Sequence, residues 1–205
     1  MSPRTKEAYQ TMRDERKEQI LLAALKIFAS QGFSAAKITD IAATAGVSYG
    51  LVDHYFGRKE EIYAAVILKG YQCAVDLFER ALTIPGSPWG RLLFICQELL
   101  SRIRELPDSP DYILLINQGK TNQLIPVETR AQFRADEKRC LDIQVELIRQ
   151  GQTIGEVVDG DPYELVITFN AIIQGLGDRW SDADSREDLR QHFPRPETVL
   201  RFLKA

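Results

Sequence analysis

Histidine is scarce in this chain: His54 and His192 are the only two among 205 residues, and they lie far apart. Cysteine is little more frequent, with Cys73, Cys96 and Cys140 widely spaced and no CxxC pair. No His/Cys/carboxylate cluster therefore has metal-site spacing. Three cysteines in helical apolar patterns lead us to expect buried, reduced thiols instead of a disulfide framework. Long apolar runs are missing too. Ile20–Leu25, the longest purely aliphatic run, falls far short of the roughly 20 residues that cross a bilayer. The first residues, MSPRTKEAYQTMRDERKEQ, lack the apolar centre of a secretion signal, so a cytoplasmic protein is expected. Gly175-Leu176-Gly177 has neither the third glycine nor the preceding strand of a dinucleotide loop. No run of alternating β-branched residues and no internal repeat is found. These absences argue against an enzyme, a metal or a cofactor.

Helical punctuation is what the chain has instead. The spacing predicts an all-α fold of about nine helices: 14–31, 37–45, 48–56, 58–84, 88–106, 110–119, 127–150, 162–180 and 196–204. Gly32, Pro85-Gly86, Gly119 and Gly151 are read as stops. Ser87-Pro88, Ser109-Pro110 and Asp161-Pro162 place a capping side chain before a first-turn proline. Glu164, three residues after Asp161, completes a capping-box arrangement. The acidic patch Asp182, Asp184, Glu187 and Asp188 reads as a solvated loop or helix start.

Charge is uneven. Residues 1–60 hold nine Lys/Arg against seven Asp/Glu, net +2, while the remainder holds 17 against 22, net −5. Screening over roughly 8–10 Å lets a mildly basic end act locally despite an acidic whole.

Residues 37–59, KITDIAATAGVSYGLVDHYFGRK, are the most informative stretch. Ile41, Ala42 and Ala45 give a first short helix an apolar side. Gly46 can take the positive φ that ends it, and Ser48 can cap a second. In that second helix Val47, Leu51 or Val52, and Tyr55 would turn inward, leaving Tyr49, Gly50, Asp53 and His54 outward. An ordinary helical corner in a bundle is the plain alternative. A helix-turn-helix is the informative one, its second helix suited to a major groove about 12 Å wide.

The wording Ile-Ala-x-x-Ala-Gly-Val-Ser-x-Gly, followed by Tyr55-Phe56 and Lys59-Glu60, resembles the TetR/AcrR family of bacterial transcription regulators. The resemblance covers about residues 14–74 and implies a DNA-binding head there, with its motif at about 37–56. Residues 75–205 would form a ligand-binding and dimerisation body. Lys59 stands where the family places a lysine near the DNA backbone, and Tyr55 at its aromatic or histidine position beside the phosphates. Lys37, Thr39 and Ser48 are further phosphate candidates at helix starts. Base readout would fall to Tyr49, Gly50, Leu51, Asp53 and His54. Asp53 departs from the tyrosine common in the family: it could accept from a cytosine amino group, or simply hold Arg58 or His54. Lys37 stands where a hydroxyl-bearing cap is usual.

In the family the last two helices usually pair with those of a second subunit. The resemblance thus implies a homodimer on a near-palindromic operator, with Leu165, Phe169, Ile172, Ile173, Leu176, Val199, Leu200 and Leu203 at the interface. A self-contained core is the competing reading. Phe94, Tyr112, Asn117, Gln118, Phe133, Gln174 and Trp180 are the candidates for lining a small-molecule pocket. The expected function is a repressor released from its operator by a small-molecule inducer. The alternatives are an activator and a helical ligand-binding or protein-interaction module.

Overall fold

A glycine bends the chain where the first helix gives out. In the computed structural model, which describes residues 6–105, 109–121 and 125–205, α1 (Lys6–Ala35) is interrupted at Gly32, whose φ of 74° and ψ of 161° are not helical. Phe33 then turns back onto Phe28, their ring centroids 5.9 Å apart, and both meet Tyr63 edge-on at 5.0 Å. The stop expected at residue 31 is thus real, although the helix begins eight residues before the predicted start.

Helices α2 (Ile38–Ala45) and α3 (Tyr49–Phe56) follow, then the long α4 (Lys59–Thr83) and α5 (Pro88–Glu105). They are succeeded by α6 (Ser109–Thr121), α7 (Val127–Thr153), α8 (Pro162–Ser181), α9 (Ala183–His192) and α10 (Pro196–Val199), with a 3-10 turn at Arg201–Leu203. Among the described residues there are ten α-helices and no strand, only the bridge between Val157 and Lys204. None of these helices is long and apolar enough to cross a membrane.

Two of the expected stops are not stops. Gly119 lies within α6 and Gly151 within α7. A Cβ on Gly119 would sit 2.4 Å from Ile67 Cδ1, and one on Gly151 would sit 2.4 Å from Val157 Cγ2. Both glycines permit close helix approach. Of the two readings of residues 182–188, a loop or a helix start, the helix start is observed, because α9 begins there. Asp182 caps α9 by accepting from Ser185 N at 2.9 Å, and Arg186 Nε donates to Trp180 O at 2.7 Å.

Burial divides into two main clusters joined by α4. Ile20, Leu25 and Phe28 of α1, Ile41 of α2 and Val52 of α3 surround Ile62, Tyr63 and Ile67 of α4. Leu115, Ile125 and Phe133 complete this cluster from α6 and the approach to α7, so the core under the short helices is not closed by residues 14–74 alone. Val75, Phe78 and Ala81 then lead α4 into a second cluster with α5, α7, α8 and the C-terminal turn. Helix α4 contributes to both clusters. Lys69 of α4 also pairs with Glu18 of α1.

Candidate nucleic-acid interface

The turn between α2 and α3 is built by backbone hydrogen bonds. Gly46 adopts φ 64°, ψ 34°; its N–H donates to Ala43 O at 3.1 Å, and Val47 N–H donates to Ala42 O at 3.0 Å. This left-handed cap turns the chain at low steric cost because glycine lacks a Cβ. Ser48 Oγ then accepts from Leu51 N at 3.2 Å and opens α3. From α1, Gln19 Nε2 donates to Ala45 O at 2.7 Å, fixing the end of α2 against the first helix. Sequence reasoning did not find Gln19, because a polar residue in an amphipathic helix gives no sign of a contact 26 positions away.

Helix α3 is held by Val52, fully buried, and Phe56. The open choice between Leu51 and Val52 as the inward residue is settled for Val52; Leu51 and Tyr55 are half-buried. Tyr49 is 51% exposed, and Gly50, Asp53 and His54 are exposed beside it. Lys37, Thr39 and Ser48, at the starts of α2 and α3, are exposed as well. The Asp53 carboxylate forms no hydrogen bond or ion pair with the described residues, so it holds neither Arg58 nor His54. His54 instead meets the Tyr55 ring edge-on at 5.7 Å. Arg58 is exposed just past α3, and Lys17 Nζ stands 6.0 Å from the Phe56 ring centre.

Lys59 requires a correction. Its Nζ donates to Phe33 O at 2.8 Å, Ser34 O at 3.3 Å and Ala36 O at 2.9 Å, and lies 4.6 Å from the Phe33 ring centre. An ammonium has three protons, and all three go to carbonyls beyond the bend at Gly32. The first residue of α4 thus clamps the end of α1, where exposed carbonyls favour a cation, in place of reaching outward to phosphate.

A cavity of about 520 Å³ opens between α4, α5, α6, α7 and α8. Its walls are mainly apolar: Phe78, Leu99, Ile113, Ile116, Leu141 and Ile173 are among them. Tyr71, Cys140, Gln144, Asn170 and Gln174 bring polar atoms to it. Burial, the largest cause, and the nearby Glu137 carboxylate push the Tyr71 hydroxyl far above its ordinary range. Burial chiefly pushes the Cys140 thiol up to about 12, with Asp136 adding to the effect.

Comparison with known proteins follows the same outline. The sequence pattern of bacterial regulatory proteins of the tetR family matches residues 20–66, from within α1 into α4. Residues 20–66 carry the pattern of the TetR family. Among curated proteins it is 29% identical over 136 residues to the transcriptional activator FasR of Mycolicibacterium smegmatis, covering 66% of this chain and 60% of that one. It is 37% identical over 92 residues to the transcriptional repressor Rv3405c of Mycobacterium tuberculosis, covering 40% of this chain and 49% of that one. The chain thus spans about half to three-fifths of the curated relatives it matches. Among solved structures, AibR in complex with isovaleryl coenzyme A and operator DNA superposes with a TM-score of 0.70 at 19% identity, over 88% of this chain and 98% of that one.

Within this TetR fold the predicted pocket residues mostly lie elsewhere. Of the six whose side chains are described, Gln174 alone lines the cavity. Phe133 is buried and stacks on Tyr71 at 5.5 Å from behind the wall. Trp180 packs edge-on to Phe193 at 5.2 Å, and Phe94 lies under Arg80. Tyr112 packs against the cluster beneath α1–α3, Gln118 is exposed, and the Asn117 side chain is outside the described residues. Four of the eight dimer residues need a like correction. Phe169, Val199, Leu200 and Leu203 are 4%, 5%, 0% and 1% exposed within their own subunit. The C-terminal turn folds inward, with Val158 N–H donating to Leu203 O at 3.0 Å, so its apolar side closes the chain's own core. Leu165, Ile172, Ile173 and Leu176 are half-buried. Cys73, expected inside, is exposed, whereas Cys96 and Cys140 are buried as expected.

Proposed function

We propose that this protein is a cytoplasmic, homodimeric DNA-binding regulator of the TetR family that represses transcription until a small molecule occupies its body cavity. The observation behind this reading is the exposed side of α3, where Tyr49, Gly50, Asp53 and His54 stand together on a helix anchored by Val52 and Phe56. With Leu51, these residues would read base edges. Lys37, Thr39, Ser48 and Tyr55, joined by Arg58, would meet phosphates in place of the engaged Lys59. Two heads presented by a symmetric pair would meet half-sites about 34–36 Å apart. The outer side of α8 supports pairing: Ile172 and Leu176 line a shallow apolar groove there with Phe202. AibR, which holds both isovaleryl coenzyme A and operator DNA, supports a ligand-responsive reading. Inducer release would be a population shift, requiring different affinities for the two arrangements of the heads.

Selection of bound sequences from random DNA should return a near-palindrome. On that operator Lys37→Ala should weaken all sequences alike and lower the salt slope by about one, whereas Tyr49→Ala should alter preference at defined positions. Binding that is flat between low and moderate salt would sink the proposal.

A further inference from the structure

The cavity wall contains polar atoms that the fold leaves without protein partners. Gln144 is 3% exposed. Its Nε2 donates to Cys140 O at 3.2 Å; because that partner can only accept, Oε1 must be the other end of the amide. Gln144 lines the cavity, and its Oε1 is buried without a hydrogen-bond partner. The Tyr71 hydroxyl, on the facing helix α4, is likewise buried and without a partner. A buried amide oxygen and hydroxyl left dry cost stability. Two such atoms on one cavity mark where a ligand's polar end fits.

Charge narrows the class. Among the described residues lining the cavity there is no Lys or Arg, and the one charged group is Glu137, exposed on α7. An anion entering here would lose its hydration and find no cation, while meeting a carboxylate. A cation would find no charge at depth, only the amide oxygen and the hydroxyl. The remaining wall is aliphatic and aromatic, and a volume of about 520 Å³ is within the usual range for organic ligands.

We propose that the cavity binds a neutral, mainly apolar molecule whose polar end donates to Gln144 Oε1 and accepts from the Tyr71 hydroxyl. An aliphatic alcohol has this chemistry, since one hydroxyl can supply both roles. The proposal deepens the reading of the chain as a ligand-responsive regulator, yet its binding step needs no DNA and is measured without it.

The test is calorimetric titration of the full chain at pH 8 with 1-decanol, decanoate and decylammonium. The alcohol should bind saturably, and the two ions about tenfold more weakly or worse, as expected when an ion is desolvated without a partner. Gln144→Leu should weaken the alcohol about tenfold and should melt no lower than the parent, because it removes an unsatisfied acceptor. Tyr71→Phe is the second, independent variant, with loss of alcohol affinity expected. Four results would overturn the proposal: no saturable alcohol binding, equal affinity for decanoate, tighter binding of decylammonium, or unchanged alcohol affinity in both variants. Operator binding is followed separately by fluorescence anisotropy. Alcohol that binds without displacing DNA leaves the site assignment standing and counts against ligand-controlled release.

Discussion

Lys59 shows how far a single side chain can depart from its motif. Position and residue type both suggested a phosphate contact, yet three carbonyls beyond Gly32 use all of its protons. Nothing local in the sequence records that the chain returns to within 3 Å of this residue after 26 positions. Lys59→Ala should lower stability by about 1.5–3 kcal/mol, the range for hydrogen bonds to a charged group. Urea denaturation measures this. A variant as stable as the parent but with weaker salt-dependent DNA affinity would return the lysine to the backbone of the duplex. The cysteines make a second prediction at this scale. Burial pushes both Cys96 and Cys140 thiols up to about 12, whereas Cys73 is exposed. One thiol per chain should therefore react with a disulfide reagent at pH 8, and all three only after unfolding. The sign of the pH effect follows. The native state keeps those two protons while the unfolded chain loses them near 9, so stability from these groups is intact below 9 and falls above it.

Helix α6 is the element held most tightly by small residues. It packs against α1, α4 and α8; its Gly119 lets it approach Ile67 of α4, and Gly177 of α8 makes room for its Ile113. Gly119→Ala would gain about 1 kcal/mol of helix propensity, but its Cβ would stand 2.4 Å from Cδ1 of a fully buried isoleucine. Overpacking of about 1–3 kcal/mol should win. Gly90→Ala, also within a helix but with its nearest contact at 3.8 Å, should be neutral or stabilising. Thermal melts of the two variants decide; equal melting temperatures would mean that α6 has room to move. The α2–turn–α3 unit was legible because glycine, serine cap and inward apolar positions all agree. Helix α9 was not, since among its described side chains Leu189 alone is buried, and the helix is fixed by a cap and by Arg186. Period-based reading requires an apolar stripe.

For the whole molecule, general layout was readable and partnership of faces was not. The apolar side of residues 199–203 suits a second subunit as well as the chain's own core, and the same pattern encodes both. Folding chose the core, because the bonds from Val158 to Leu203 and from Ala205 to Glu156 draw the C-terminal turn inward. The cavity was hidden for a related reason. Five helices supply its wall, and each contributes residues that taken singly look like ordinary packing.

The lysine clamp between α4 and the end of α1 has a consequence for spacing along DNA. In the proposed dimer, a head whose first helix is tied to the base of a stiff rod cannot swivel by itself, so the distance between the two reading helices is set far from the groove. Adding one base pair between half-sites moves the second by about 3.4 Å and rotates it by roughly 35°. Flexible heads would tolerate that change. These should refuse it, and a series of operators with one pair inserted or removed should show a single favoured length, with affinity dropping on either side.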